Sequence, residues 1–148
     1  RLTPLVPYDG ETLTLKGGAS LTFLGPAEDI PADRGNDRSL ITLFQTGSAS
    51  VLLMGDAEEP AEQSLLRHHP GLRCDILKVG HHGSDTSSSP AFLSALGAQT
   101  AIISCGTDND YGHQTLTNLP LAGVRDIRMT AESGTVALPL IAYKENAV

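Results

Sequence analysis

The chain predicts an α/β fold, a mixed sheet with helices on one face. Three observations carry that expectation. Alternating apolar and polar stretches, broken at glycines, fill the first third of the sequence and have the pattern of antiparallel hairpins. Short apolar runs bounded by glycine come next, with amphipathic segments between them, as in βαβ units. The fixed handedness of such crossovers then puts successive helices on the same face of the sheet.

Taken in order, Glu11–Lys16 and Ser20–Leu24 alternate around Gly17-Gly18 and predict the first hairpin. Gly25 to Arg38 is polar, acidic and broken by Pro26 and Pro31, so it is expected to be a surface excursion. Ser39–Phe44 and Ser50–Met54 predict a second hairpin around Thr46-Gly47-Ser48. From Glu58 to His69, Ala61, Leu65 and Leu66 share one helical face, and His69-Pro70-Gly71 ends the helix. Cys74–Val79 reads as a buried strand, followed by a Gly/Ser-rich loop over Gly83–Ser89. Pro90–Leu96 reads as a helix capped by Ser89, with Pro at its first position and Gly97 at its end. Thr100–Ser104 is a further buried strand, and the polar loop Gly106–His113 leads to a helix over Leu116–Ala122. Asp126–Thr130 and Thr135–Leu140 are the last expected strands, joined by Glu132-Ser133-Gly134.

At 148 residues and 40% hydrophobic content the chain can bury one core and is too short for two. A net charge of −7 argues against a nucleic-acid binder held by basic patches, though a bound dication would invert the field locally. No apolar run approaches the roughly 18 residues of a membrane span, so a soluble chain is expected. Cys74 and Cys105 fall at opposite ends of neighbouring strands, too far apart to bridge, and both are expected as free thiols. Arg1-Leu2-Thr3-Pro4 has no initiator Met and strands follow almost at once, so a piece of a longer protein is expected.

The chemistry gathers at two strand ends. In open α/β sheets, ligands bind outside the carboxyl ends of the strands. Val51-Leu52-Leu53-Met54-Gly55-Asp56 puts a carboxylate there, and Ile76-Leu77-Lys78-Val79-Gly80-His81-His82 puts two imidazoles there. Asp and His at neighbouring strand ends suit a hydrolytic metal centre. Asp56 also fits a capping box with Glu59, although Pro60 argues against that register. The dipeptide His68-His69 serves as an internal control, because at a helix end its expected role is solvation or a helix-dipole contact. Ser84, Thr86, Ser87, Ser88 and Ser89 offer hydroxyls for a phosphate, or simply a serine-rich loop with one capping Ser89. Lys78 either neutralises a phosphate or snorkels. His113 returns a third imidazole to the rim, suited to a general acid or a phosphate contact, or else it is solvated. Asn36 and Ser39 precede a strand and orient a ligand or make a turn.

Together these pieces resemble the carboxy-terminal half of a metallo-β-lactamase-fold domain, closest to the ComEC/Rec2 competence-protein family. The matching segments are Leu24-Gly25-Pro26, Asn36 with Ser39-Leu40, and Leu53-Met54-Gly55-Asp56-Ala57-Glu58. Leu77 to Ser84, Ser87-Ser88-Ser89, Ile102-Ile103-Ser104 and Asn109 to His113 continue it in order. The resemblance implies half of an αββα sandwich, a single partial domain over residues 1–148, and a dinuclear zinc or manganese site. By the same resemblance, Asp56 is the bridging carboxylate and His82 a metal ligand. His81 and His113 contact the phosphate or leaving group, Lys78 and Ser84 assist, and Asn36, Ser87 and Ser88 lie on the substrate side.

That family implies a phosphodiesterase or nuclease acting on DNA, in the extracytoplasmic part of a bacterial inner-membrane protein for DNA uptake. Choline-phosphate esterases of the same fold share the histidine pair, which keeps a small phosphodiester open as substrate. The fold's main ligand motif, His-x-His-x-Asp-His, is absent from the sequence. The chain alone is therefore expected to be inactive, with the missing ligands supplied upstream in the parent. The alternative is a non-catalytic interaction or regulatory half-domain. A half-sandwich also leaves one sheet face uncovered, which predicts a homodimer or partial instability.

Overall fold

Glycine-bounded apolar runs become the centre of a seven-stranded sheet in the computed structural model, which describes residues 6–47, 49–107 and 114–140. The strands are β1 (Thr12–Thr14), β2 (Ser20–Phe23), β3 (Thr42–Gln45), β4 (Ser50–Leu53), β5 (Ile76–Lys78), β6 (Thr100–Ile103) and β7 (Asp126–Met129). They lie side by side in sequence order. The first three pairings are antiparallel, and those of β4 with β5, β5 with β6 and β6 with β7 are parallel. Helices α1 (Glu59–His68), α2 (Pro90–Leu96) and α3 (Gln114–Leu121) fill the three parallel crossovers. α1 packs on α2 and α2 on α3, so they form one layer, as crossover handedness requires.

Strand alternation explains where the core sits. Leu52, Leu77 and Ala101 are in register across β4, β5 and β6, and all three are fully buried beneath the helices. Leu65, Phe92, Leu93, Leu96 and Leu119 close that layer from the helix side. The other face carries Leu13, Leu21, Phe44, Val51 and, one step along, Leu53, Lys78 and Ile102. Among these, Leu13 and Leu53 are about 40% exposed, at 40% and 38%. This face is apolar and only partly covered.

Three expectations are corrected. Thr135–Leu140 forms no strand; after β7 the chain makes the short helical turn α4 (Thr130–Ser133) and leaves the sheet. The Thr130 hydroxyl bonds to both the N–H and the carbonyl of Cys105, which holds that exit, and Pro139 lacks a ladder donor. The 25–38 segment is more than a surface excursion. Ala27 and Ile30 are buried, Arg38 donates to the Ile30 carbonyl at 3.0 Å, and Asn36–Arg38 forms a 3₁₀ turn with Asp37 buried. Helix capping also differs. Glu58, not Asp56, occupies the N-cap of α1, and the capping carboxylate is Asp37, accepting from the N–H groups of Glu58 and Ala61 at 3.1 and 3.3 Å. Ser89 sits at the N-cap of α2, but its hydroxyl makes no cap bond, and Glu62 reaches over from α1 to accept from Ser88 and Ser89 N–H.

Candidate metal centre

The carboxyl ends of β4 and β5 run into two turns that are laced together. Gly55 takes φ +59 and packs against Ser39, whose Oγ accepts the Asp56 N–H at 3.0 Å. The 80–83 turn docks directly on this one. A Cβ on Gly80 would meet the Ala57 carbonyl oxygen at 2.3 Å, so only glycine allows that approach. The His81 N–H donates to Gly55 O at 3.1 Å, and the Glu59 N–H to Thr86 O at 2.9 Å.

Within the docked turn, His81 and His82 both adopt left-handed backbone, with φ +43 and +56. Such geometry is uncommon outside glycine, and consecutive occurrences persist only where surroundings enforce them. Here the Ser84 N–H bonds to His81 O, and the Ser87 hydroxyl donates to Gly80 O and Ser84 O, each at 3.0 Å. Thr115 on α3 donates to Ser84 O at 3.1 Å. Ser84, Ser87 and Ser88 are buried, and Asn118 donates to the Ser88 carbonyl. The serine segment therefore builds the turn that presents the histidines, and its buried hydroxyls face inward.

The left-handed pair directs both rings to one rim. His82 Nδ1 lies 2.7 Å from the Ser104 carbonyl, which can only accept, so Nδ1 carries the proton. That leaves Nε2 as the outward nitrogen, 3.4 Å from Asp56 Oδ1. An imidazole anchored through one nitrogen, with the other beside a carboxylate, is the donor arrangement of a metal-ligating histidine. Asp56 and His82 are each about half exposed, at 50% and 48%, so the position is open to solvent. Among the described residues no third His, Cys, Asp or Glu joins them in a group able to hold an ion. The pair thus fits one side of a divalent centre and falls short of the usual three protein ligands.

His81 belongs to a second cluster. Its Nδ1 lies 2.9 Å from Glu58 Oε1 and 3.2 Å from Thr86 Oγ1, and its Nε2 lies 3.5 Å from Asn36 Nδ2. Asn36 and Thr86 both donate to Glu58, at 3.2 and 2.9 Å. Burial pushes the Glu58 carboxyl up, but the donors Asn36, Thr86 and His81 outweigh it and hold the group below its ordinary value. The two rings lie 6.5 Å apart and are tilted by 58°. Strand ends alone bring Asp56, His81 and His82 to one rim, the family resemblance adds Asn36, and Glu58 has no role in either; its place two residues past Asp56, on the same turn, is the available signal.

Lys78 sits on the open sheet face, half-buried, with Nζ donating to Val79 O at 2.7 Å. Burial lowers its pKa, opposed by the charge of Asp56. His113 lies outside the described residues.

No family model matches the chain. It is 37% identical over 129 residues to ComE operon protein 3 of Bacillus subtilis, covering 86% of this chain and 16% of that protein. It is 38% identical over 99 residues to Competence protein ComA of Neisseria gonorrhoeae, covering 66% of the chain and 14% of that protein. Over 94 residues it is 45% identical to Recombination protein 2 of Haemophilus influenzae, covering 64% and 12%. The chain thus spans about a sixth or less of these relatives' length. A crystal structure of a Parabacteroides distasonis protein, assigned as a metal-dependent hydrolase, superposes with a TM-score of 0.54 at 15% identity. That match covers 83% of this chain and 56% of that one, and it bears out the metallo-β-lactamase-like α/β fold.

Proposed function

Because the chain belongs to the ComEC/Rec2 family of competence proteins, we propose that it forms the carboxy-terminal side of a metal-dependent phosphodiesterase centre acting on DNA. The observation that carries this reading is the convergence of Asp56 Oδ1 and His82 Nε2, 3.4 Å apart, at the carboxyl ends of parallel strands. These two residues would hold the ion, zinc or manganese. When bound, it supplies Lewis-acid polarisation of the phosphoryl group and stabilises charge on the leaving oxygen.

The chain's own residues do the rest. His82 keeps its ring in place by donating Nδ1–H to Ser104 O. His81 presents Nε2 on the same rim, where an imidazole can hold or hand over a proton at the ester oxygen. Asn36 offers an amide donor beside it. His113 serves as a further acid or phosphate contact, and Lys78 adds positive charge behind Asp56. The rest of the centre is completed by residues of the parent outside this sequence, a reading supported by the much greater length of the relatives. No described helix is long and apolar enough to cross a membrane. We place the domain on the extracytoplasmic side of a membrane-bound parent. In the isolated chain, a second copy covers the open sheet face; sedimentation should show a dimer, and a stable monomer would remove that assignment.

The test compares this chain with a version extended upstream, supplied with Mn²⁺ or Zn²⁺ and either linear DNA or a choline phosphodiester. The extended protein should cleave DNA and the 148-residue chain should not. Cleavage of only the small diester would move the substrate to that class. No cleavage by either, with the extended protein folded, would favour the non-catalytic half-domain.

A further inference from the structure

Glu58 has three side-chain partners at the rim, and none of them is needed to start its helix. Asp37 caps α1, and the Glu58 side chain makes no cap bond. Its carboxylate instead gathers Asn36 from the 3₁₀ turn, Thr86 from the serine segment and His81 from the strand end. Three separate stretches of chain meet on that one group. A carboxylate can only accept, so His81 Nδ1 must carry the proton in this contact, as it does in His82 against Ser104 O. Thr86 spends its hydroxyl proton on Glu58, which leaves its oxygen to accept from the same Nδ1 at 3.2 Å. The result is a matched pair of imidazoles, each with Nδ1–H anchored to oxygen and Nε2 on the rim.

We propose that Glu58 is the positioning residue for His81, holding Nδ1–H so that ring orientation and tautomer together present Nε2 toward the reacting side. This rests on the reading of His81 as the histidine that faces substrate, but its test needs no activity. The geometry separates the two roles, with Ser104 O setting the ligand imidazole and Glu58 setting its neighbour. The His81 ring, on left-handed backbone at φ +43, is held by Thr86 and Glu58.

The experiment is nitrogen-resolved NMR of the imidazoles in the full 148-residue chain, taken to alkaline pH until the nitrogen signals stop moving. Wild-type His81 should show a protonated Nδ1 and a bare Nε2. Glu58→Gln keeps an oxygen acceptor and should retain that pattern. Glu58→Ala should make the two His81 nitrogen signals converge toward averaged values and leave those of His82 unchanged. A wild-type His81 protonated on Nε2 would overturn the proposal without any variant. So would Glu58→Ala leaving His81 as in wild type, or disturbing His82 equally. Because the readout is a tautomer, it separates from the hydrolase reading: a correct His81 tautomer in a domain that cleaves nothing would sink that reading and leave this one standing.

Discussion

Two His-His dipeptides lie at opposite ends of the α1–β5 unit, and the fold treats them differently. His68-His69 closes α1. His68 Nδ1 bonds back to Ser64 O at 3.0 Å, and His69 Nε2 lies 2.8 Å from Asp9. One ring is turned onto its own helix, and the other has its outward nitrogen engaged. At His81-His82 the backbone is left-handed, both Nδ1 atoms are held by oxygen, and both Nε2 atoms reach one rim with Asp56 and Asn36. The dipeptide itself does not set the geometry. What sets it is a glycine-permitted turn docked on a second strand end that carries carboxylates.

The largest effect expected from this contrast is on catalysis in the extended protein. Asp56→Ala or His82→Ala should lower metal-dependent cleavage at least about 100-fold, because an ion contributes several kcal/mol and each ~1.4 kcal/mol is tenfold. His68→Ala and His69→Ala should leave it near normal, and rates on matched DNA substrate would show a failure of either half.

The glycines beside each dipeptide sharpen the comparison. Gly80→Ala drives a Cβ to 2.3 Å from the Ala57 carbonyl, a backbone atom that cannot step aside. We expect about 3 kcal/mol of destabilisation, at the upper end of overpacking costs, with the histidine turn displaced. Gly71→Ala meets nothing within 4 Å and should cost only the left-handed strain of its φ of +88, about 1–2 kcal/mol. Denaturant midpoints in the reverse order would break the account of the docked turn.

Much of the frame could be read from residue order. The hairpins, the glycine-bounded strands β4 to β6, the α1 face with Ala61 and Leu65, and the strand-end positions of Asp56 and the histidines all follow from period and punctuation. What escaped depends on contacts across many residues. Glu62 reads as a polar residue, yet it stands three and four positions before Leu65 and Leu66 on the apolar face of α1 and is fully buried, because α2 begins against it and needs an acceptor for Ser88 and Ser89. Asp37 caps a helix more than twenty residues away, at Glu58 and Ala61, and Glu58 finds His81 only once β5 is paired beside β4. Alternation alone predicted a strand over Thr135–Leu140 and could not show that the chain leaves the sheet after β7.

Glu62 gives a smaller effect and a pH signature. Removing its carboxylate in Glu62→Ala orphans the buried Ser88 N–H and the part-buried Ser89 N–H and should cost about 1–3 kcal/mol. Burial raises the Glu62 carboxyl above its ordinary 4.5, despite the hydrogen bonds from Ser89 and Ser88. A raised native value means the folded state holds the proton more tightly. Its contribution is then full below 4.5 and is lost as pH climbs through the raised value. Wild type should lose stability relative to Glu62→Gln across that window; the opposite slope in urea unfolding would contradict the burial.

The thiols report the two ends with the least perturbation. Cys74, following the His68-His69 end, is buried and its thiol is pushed up to about 12 by burial. Cys105 is half-buried beside Ser104, on the rim of the histidine turn. Native-state alkylation at neutral pH should label Cys105 and spare Cys74 until the chain unfolds. Prompt labelling of Cys74 would place the open end of the sheet elsewhere.

The most direct test of the rim as a metal edge is equilibrium dialysis of the 148-residue chain against Zn²⁺ and Mn²⁺. With Asp56 and His82 as the two ligands among the described residues, most coordination positions would fall to water, so binding should be weak and below one ion per chain. It should vanish in Asp56→Ala and in His82→Ala and persist unchanged in His68→Ala and His69→Ala. Tight binding of two ions by this chain, or binding that survives the loss of both Asp56 and His82, would contradict the assignment.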